Sequence, residues 1–155
     1  MAEIRLRKAT IEDSSDLFSW RNDPVTRAMS RDTGPISRES HEVWYKRALA
    51  DPKKSILIGE NEEDQIGMVR FDYQDSPRTA EININLNPAM RGRGYGQTLL
   101  NESCEYAFSH LGIERIYAEI KPSNLPSIKI FERRGFKYLP SDKGSMLRLE
   151  LVKEN

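Results

Sequence analysis

The chain is poor in residues that bind metals or form crosslinks, since it has one cysteine and two histidines among 155 residues. A single thiol, Cys104, cannot form an intramolecular disulfide. His41 and His110 lie far apart in the sequence and do not supply the four ligands of a structural zinc site, so we expect no metal. The sequence also lacks a long apolar run and a leader-like segment, which predicts a cytoplasmic protein with no membrane partner.

A net charge is absent too, because 24 lysines and arginines balance 24 aspartates and glutamates. Such a chain exerts no long-range attraction on nucleic acid or on an anionic membrane, so any phosphate that it binds must be held by local groups. No linker, repeat or low-complexity segment interrupts the sequence, and its length suits one domain with a substantial core. We therefore expect a single domain over residues 1–155.

Strand-like and helical patterns alternate along the chain and predict an α/β or α+β fold on a mixed sheet. Three consecutive strands in the middle form a predicted antiparallel meander. In the second helix, Val43, Trp44 and Ala48 are expected on the inner side. The predicted elements are strand Glu3–Lys8, a helix from Thr10 or Asp13 to Asn22, helix Ser37–Ala50, strands Ser55–Glu60, Gln65–Tyr73 and Thr79–Asn87, helix Gly94–Leu111, strand Glu114–Ile120, helix Leu125–Arg134, a short strand at 136–139 and strand Met146–Val152.

The most informative segment is Arg91-Gly92-Arg93-Gly94-Tyr95-Gly96, between the third meander strand and the longest helix. Three glycines at a helix start allow several backbone N–H groups to face one anion, and the two arginines favour phosphate. The segment therefore predicts a pyrophosphate site.

Two familiar phosphate motifs do not fit this glycine turn. A dinucleotide fingerprint that begins at Gly92 would need a third glycine where Gln97 stands, and the preceding strand ends a meander instead of opening a βαβ unit. A P-loop string is absent from the sequence. The pattern that remains is Arg-x-x-Gly-x-Gly, formed by Arg91, Gly94 and Gly96.

This pattern resembles the Arg/Gln-x-x-Gly-x-Gly/Ala motif of the Gcn5-related N-acetyltransferase (GNAT) family. A second string, from Asn124 to Gly135-Phe136, is similar to the family's other signature, in which an Asn opens a short helix that ends with Gly-Phe. The resemblance covers essentially the whole chain. It implies a mostly antiparallel sheet of six or seven strands, helices on both faces, two splayed parallel central strands and acetyl-coenzyme A as co-substrate.

The resemblance also implies how the coenzyme is held. Backbone N–H groups from Arg93 to Gln97 would bind the pyrophosphate, while Leu86 and Asn87 would pair with the pantetheine arm and Asn124 would contact it from the other side. The implied coenzyme-binding residues are Leu86, Asn87, Arg91, Gly92, Arg93, Gly94, Tyr95, Gly96, Gln97, Asn124, Ser127 and Phe131.

The implied reaction is direct attack of a primary amine on the acetyl carbonyl, which needs a base, an oxyanion donor and a proton for the thiolate. Glu81, at the start of the strand next to the coenzyme, is the candidate base, acting directly or through water. The Leu86 N–H is the candidate oxyanion donor. The family's usual acidic Tyr is replaced here by Phe131, so Ser127 is a candidate acid. Further candidates, which the sequence does not rank, are Tyr95, Tyr106, Tyr117 and Tyr138.

The acceptor is expected to contact the first two helices and the strand with alternating asparagines, which either line a polar pocket or form a solvated face. The Trp20-Arg21-Asn22-Asp23 string and its surroundings resemble the GNAT subgroup of pseudaminic acid synthesis, which acetylates a 4-amino group on a UDP-linked dideoxy sugar. That resemblance implies such a sugar as acceptor. The candidate acceptor-binding residues are Arg21, Asn22, Asp23, Met29, Trp44, Phe71, Tyr73, Asn83 and Asn85.

Other functions stay open at this level. Ser127 also resembles the branch that acetylates ribosomal-protein N-termini, and an acidic groove would favour polyamines or basic peptides, whereas a pocket with aromatic and Arg groups would favour a nucleotide. A third hypothesis is a non-catalytic domain that senses acyl-coenzyme A. A homodimer is compatible with the sequence, and no nucleic-acid partner is expected.

Overall fold

The computed structural model describes residues 3–140 and 146–154. Within these ranges seven strands form one sheet in the order β1-β2-β3-β4-β5-β7-β6. Neighbouring strands are antiparallel except for β4 and β5, which are parallel. The strands are β1 (Arg5–Lys8), β2 (Lys54–Glu60), β3 (Gln65–Tyr73), β4 (Thr79–Leu86), β5 (Arg115–Ile120), β6 (Lys137–Leu139) and β7 (Leu147–Val152).

Helices cover both faces of this sheet, as the mixed α/β prediction requires. One face packs against α4 and α5, and the other packs against α1 and α3 where it covers β2 and β3. Within the described ranges no helix has the length and apolar character needed to cross a membrane. The helices are α1 (Ser14–Asn22), α2 (Pro24–Met29), α3 (Arg38–Ala50), α4 (Tyr95–His110) and α5 (Leu125–Arg134).

The short helix α2 was not predicted, because Asn22-Asp23-Pro24 was interpreted only as the end of α1. In the structure the same residues also begin the next helix. Asp23 accepts a hydrogen bond from the Thr26 N–H at 3.1 Å, and Pro24 occupies the first helical position. A carboxylate cap followed by proline is a helix-start signal as much as a stop signal. Residues predicted as loop therefore form an element beside the glycine turn.

The prediction for the inner side of α3 was wrong at Val43, which is 49% exposed. The buried residues of this helix are His41, Tyr45 and Ala48. These positions follow the i, i+4, i+7 spacing of one helix face, and Val43 lies off that face. The predicted cap is confirmed, since the Ser37 hydroxyl accepts from the Ser40 N–H at 3.1 Å.

The parallel strands β4 and β5 are paired over only three positions. Their register ends where Glu81 faces Tyr117, and no pairing continues beyond it within the described strands. The second half of β4 and the end of β5 therefore diverge, which opens a gap in the middle of the sheet. The splayed parallel pair implied by the family resemblance is confirmed.

Candidate active site

A cleft of about 1250 Å³ opens where β4 and β5 diverge. The glycine turn and the start of α5 border one part of it, and α1, α3 and the segment after α2 border the other. Its lining includes Arg21, Arg31, Trp44, Arg70, Asn83, Asn85, Leu86, Arg91, Gly92, Gly94, Gly96, Gln97, Glu119, Asn124 and Ser127.

The glycine turn has the backbone geometry of an anion site. Gly92 and Gly94 have φ angles of 76° and 79°, in the left-handed region that favours glycine, and Gly94 is the N-cap of α4. The first helical residues, Tyr95 to Gln97, direct N–H groups out of the helix end with no partner inside the helix. A Cβ on Gly96 would lie 3.8 Å from the nearest atom, Ile130 Cδ1, which is an ordinary contact. The protein's own packing therefore does not require glycine at position 96, whereas close approach of a phosphate would.

Arg91, a predicted coenzyme contact, and Asp23, a predicted acceptor contact, form an ion pair with each other. The Arg91 guanidinium donates to the Asp23 carboxylate and, at 3.1 Å, to the Thr26 hydroxyl. The hydrogen bond from Arg91 lowers the pKa of Asp23. Because Asp23 also caps α2, its carboxylate is engaged twice within the fold, and its contact with the acceptor stays a prediction. Arg91 borders the cleft, with its charge offset by this partner.

Asn87 was predicted to pair with the pantetheine arm, and its hydrogen-bonding groups are already engaged. Its N–H donates to the Ile66 carbonyl at 2.8 Å, its side-chain amide donates to the Gln65 carbonyl at 2.8 Å, and its side-chain oxygen accepts from the Ala89 N–H at 3.1 Å. The prediction for Asn87 is therefore wrong. Since bonding directions alternate along a strand, the backbone of Leu86 faces the opposite way, toward the gap beside β5.

The start of α5 forms the opposite wall of the coenzyme side. The Asn124 side chain caps this helix by accepting from the Ser127 N–H at 3.3 Å, and both residues line the cleft. Phe131 is 2% exposed and packs edge-on against Phe136 at a centroid distance of 4.8 Å. Phe131 is therefore mainly a core residue that borders the cleft, and it offers no acidic hydroxyl.

Other residues of the glycine turn have structural contacts. The Gln97 side-chain amide donates to the Ile130 carbonyl at 3.0 Å, which joins α4 to α5. The Tyr95 hydroxyl accepts from the Asn61 amide at 3.4 Å and so points toward the β2–β3 turn. Arg93 is exposed. Binding by this turn would therefore rest mainly on its backbone.

Glu81 lies on the sheet face opposite to α4, with its side chain 16% exposed. Burial raises its pKa, the neighbouring Arg31 lowers it, and the negative charge of Glu119 raises it further. The Arg31 Nη2 is 3.4 Å from Glu81 Oε2 and also donates to Glu119. A carboxyl group that is shielded from water in this way is suited to accept a proton near neutral pH.

The asparagines of β4 share this face with Glu81. Asn83 and Asn85 are half-buried and line the cleft, where the Asn83 side-chain amide donates to the Asp72 carboxylate at 3.4 Å. The alternation of the strand predicted this arrangement, and the structure places the row inside the cleft.

Phe71 and Tyr73, in contrast, point to the other face of the sheet. Phe71 is fully buried in the core under α4, and the Tyr73 hydroxyl hydrogen-bonds with the Ser55 hydroxyl at 2.9 Å. Their prediction as acceptor contacts is therefore wrong. The error arose because strand alternation sorts residues into two sets without indicating which set faces the cleft.

An aromatic side chain lies close to two guanidinium groups in the part of the cleft next to α1 and α3. The Cζ atoms of Arg21 and Arg70 lie 5.1 and 5.4 Å from the Trp44 ring centroid. Burial and the charge of Arg70 lower the pKa of Arg21. The Arg21 Nη1 is shielded from solvent and has no hydrogen-bond partner among the described residues. Arg70 differs, because its Nε donates to Asp72 at 2.9 Å.

The two remaining predicted acceptor residues, Asn22 and Met29, both border the cleft but differ in their contacts. Asn22 uses its side chain to brace the segment before α3, donating to the Ile36 carbonyl at 2.8 Å and accepting from the Ile36 N–H at 2.9 Å. Its amide is thus occupied, although the residue borders the cleft. Met29, at the end of α2, lines the cleft wall.

Three charged residues of the site were not predicted: Arg31, Arg70 and Glu119. Alternation along β5 places Glu119 on the same face as Tyr117, but only the β4–β5 register brings that face next to Glu81. Arg31 lies in an irregular segment, where no periodic signal exists. Their proximity is a property of the tertiary structure.

The four tyrosines considered as acids are now distinguished by their positions. Tyr106 stacks on His110 at 4.8 Å, and the Tyr138 hydroxyl donates to Glu132 at 2.7 Å. Tyr117 is the register partner of Glu81, and burial followed by the charge of Glu81 raises its pKa. Of the four, Tyr117 is the one adjacent to the candidate base.

Residues 3–137 match the family model described as an acetyltransferase (GNAT) domain. The chain belongs to the GNAT acetyltransferase family. It is therefore an acetyl-coenzyme A-dependent N-acetyltransferase, and the cleft between β4 and β5 is where the GNAT coenzyme motif lies. Among the described residues no group of three or more His, Cys, Asp or Glu side chains is arranged to hold a metal ion.

GNAT proteins similar to this chain act on different amines. The acetyltransferase PseH of Campylobacter jejuni is 27% identical, with 90% of this chain and 88% of that protein covered. The L-amino acid N-acetyltransferase AaaT of Escherichia coli is 25% identical over 96% of this chain and 91% of its own length. A spermidine N-acetyltransferase from Vibrio cholerae, solved with coenzyme A and spermine, has a TM-score of 0.85 at 20% identity, covering 97% of this chain and 95% of that one. Membership of the family therefore does not determine the acceptor.

Proposed function

We propose that this GNAT enzyme transfers the acetyl group of acetyl-coenzyme A to the amine of a UDP-linked amino-dideoxy sugar, as in bacterial surface-glycan synthesis. The observation that supports this acceptor is the cluster of two guanidinium groups, those of Arg21 and Arg70, beside the Trp44 ring in the cleft. Similarity to PseH over most of the chain points the same way.

The chemistry of a nucleotide matches this part of the cleft. A guanidinium binds phosphate oxygens through two parallel N–H donors, and two such groups can bind one diphosphate. Arg21 is half-buried, and its Nη1 has no hydrogen-bond partner among the described residues. An unpaired buried cation is costly, so a diphosphate there would stabilise the site. A polyamine is a polycation and would be repelled by the same two arginines.

The residues of the cleft suit a direct transfer. The amine nitrogen attacks the thioester carbonyl, the oxyanion accepts a hydrogen bond from the Leu86 N–H, and Glu81 takes the amine proton directly or through one water. Collapse of the intermediate breaks the C–S bond, and the thiolate takes a proton from Ser127 or from water. Asn83 and Asn85 would hold sugar hydroxyl groups beside the reacting amine.

A polyamine acceptor is the second candidate, and one observation favours it. Glu119 lines the cleft and shares Arg31 with Glu81, so two carboxylates lie close together, as a site for an ammonium group would require. A spermidine N(1)-acetyltransferase of Vibrio cholerae is also 25% identical over 63% of this chain. Arg31, however, already offsets these two carboxylates.

The test is a thiol-release assay with a UDP-linked 4-amino dideoxy sugar, spermidine, L-amino acids and a ribosomal-type N-terminal peptide. We expect turnover of the UDP-linked sugar, and a KM for it raised about tenfold or more in Arg21→Gln, the loss expected for a hydrogen bond to a charged group. Arg38→Gln is the matched control, because Arg38 stacks on Phe18 at 4.9 Å and does not line the cleft. Preference for spermidine, with Arg21→Gln unchanged, would replace the sugar by a polyamine.

A further inference from the structure

Arg31 connects two carboxylates on different strands. It lies just after α2, with 64% of its side chain exposed, and its Nη2 contacts both Glu81 of β4 and Glu119 of β5. Glu81 is the last residue of β4 that pairs with β5, and Glu119 lies in the diverging part of β5. One guanidinium therefore spans the mouth of the gap on the acceptor side.

The surroundings of Glu81 leave Arg31 as its nearest cation. From β3, Asp72 faces Glu81 but is itself bound by Arg70 at 2.9 Å and by Lys54 at 3.1 Å. From β5, Tyr117 and Glu119 face it, and Arg148 of β7 approaches Glu119 at 3.7 Å. No other Lys or Arg side chain of the described residues forms an ion pair with Glu81.

We infer that Arg31 is a positioning residue that stands in for the acceptor's ammonium group, pairing with Glu81 and Glu119 until the acceptor amine takes its place. The inference rests on the proposed transfer to an amine. In this arrangement Glu81 and Glu119 together bind the ammonium group of the acceptor, and Glu81 is also the base.

The geometry of the pair supports exchange rather than a permanent brace. The distance from Arg31 Nη2 to Glu81 Oε2 is long, at 3.4 Å, whereas the same nitrogen donates a close hydrogen bond to Glu119 Oε1. The Arg31 side chain is 64% exposed, so it can move into solvent when another cation arrives to pair with the two largely buried carboxylates. A guanidinium remains charged at every relevant pH, so the two carboxylates never face each other without a cation.

The inference fixes the sign of a pH effect. Arg31 favours the ionised form of Glu81, while burial and Glu119 oppose it. Removing the charge of Arg31 should therefore raise the pKa of Glu81 and move the acid limb of kcat/KM to higher pH. Above that limb the same change should lower the KM for the amine, because the internal competitor is gone. If Arg31 only maintained the shape of the pocket, its replacement would raise the KM for the amine.

The experiment compares Arg31→Gln with Arg31→Lys, which keeps the charge, and with the control Arg78→Gln. The Arg78 side chain is exposed to a similar extent as that of Arg31, and it pairs with the exposed Glu114 at 3.0 Å, outside the cleft. Glu81 is titrated by carbon NMR of the acceptor-free protein, with its signal identified by loss in Glu81→Gln. KM is then measured for the UDP-linked 4-amino dideoxy sugar.

In Arg31→Gln we expect a higher titration midpoint and a KM lower by about two- to fivefold, the range of a partly exposed ion pair. Arg78→Gln should match the parent protein, and Arg31→Lys, which keeps the positive charge, should shift the titration midpoint less than Arg31→Gln does. An unchanged midpoint overturns the inference whether or not any acceptor reacts, and so does a raised KM. A shifted midpoint with no thiol release on any amine counts against the proposed function instead.

Discussion

At the scale of single residues, Glu81 combines a shielded position with a pKa above the ordinary carboxyl range, caused first by burial. A raised folded-state pKa means that ionisation opposes folding: the stabilisation from the protonated form is present at low pH and is lost as pH rises through that pKa. Near neutral pH, ionisation of Glu81 therefore lowers the free energy of unfolding of the protein. Such a cost is expected at a site selected for reactivity.

Replacing Glu81 by Gln tests its role as base. Glutamine has a similar size and cannot accept a proton, so kcat/KM should fall by about a hundredfold or more near pH 7. Near pH 9 the loss should be smaller, because more of the acceptor amine is already deprotonated. The measurement is the pH profile of kcat/KM for both proteins. A loss of equal size across the profile would show that Glu81 orients the acceptor and does not take its proton.

Residue roles were predictable from sequence where the backbone alone determines them. The glycine turn required only local conformation, and its predicted geometry is found in the structure. Asn87 could not be judged in this way, because its four hydrogen bonds reach β3 and the turn after β4. Phe71 likewise depended on which sheet face α4 covers, and that choice is made by tertiary packing.

At the scale of elements, α2 links the two halves of the site. Its first turn binds Arg91 of the glycine turn through Asp23 and Thr26, and the Ala28 carbonyl near its end accepts from Lys121 at 3.2 Å. A six-residue helix is not stable alone, so these contacts hold it in place. Arg31 follows directly from this element. The position of α2 therefore affects both the coenzyme turn and the acceptor carboxylates.

Asp23→Asn separates the two functions of the Asp23 side chain. Asparagine still caps a helix, so α2 should persist, but the ion pair with Arg91 is lost. The freed Arg91 charge lies beside the pyrophosphate site, so affinity for acetyl-coenzyme A should rise by about two- to fivefold at low salt, with the gain shrinking as salt is added. Calorimetric titration measures this. Unchanged affinity would mean that Arg91 serves α2 and has no role in binding phosphate.

Most elements were predictable because each has a local signal. Period-two and helical patterns located the strands and the long helices within a residue or two of their observed bounds. The failure at α2 has a physical cause, since Asp23-Pro24 is compatible with both the end of one helix and the start of the next. The inner face of α3 is harder to predict, because the apolar side chain of Val43 favours one face whereas the helical spacing of His41 and Tyr45 defines the face that is buried.

At the scale of the whole molecule, the site exists because β4 and β5 pair briefly and then separate. No local pattern encodes that separation; the family resemblance implied it, and the register that ends at Glu81 and Tyr117 establishes it. The separation leaves the backbone of Leu86 unpaired with β5 and places Glu119 on the same face of the sheet as Glu81. Elements from both ends of the chain must therefore be folded before the cleft exists.

This dependence predicts that acetyl-coenzyme A stabilises the described fold as one unit. At a hundredfold excess over its dissociation constant, a ligand of the native state adds about 2.7 kcal/mol to the free energy of unfolding. For a protein of this size that corresponds to a rise in Tm of about 5–10 °C in a single transition. The measurement is calorimetric melting with and without the coenzyme.

Two glycine variants make this melting experiment specific to the turn. Gly94→Glu places a bulky anion where the pyrophosphate binds, so its Tm should not respond to the coenzyme. Gly112→Glu introduces the same side chain at a φ of 68°, close to the 79° of Gly94, in open space at the end of α4. It should share the backbone strain of Gly94→Glu and keep the full coenzyme response. A Gly94→Glu protein that still responds would move the pyrophosphate away from the turn, and a second, coenzyme-insensitive transition would divide the chain into independent units.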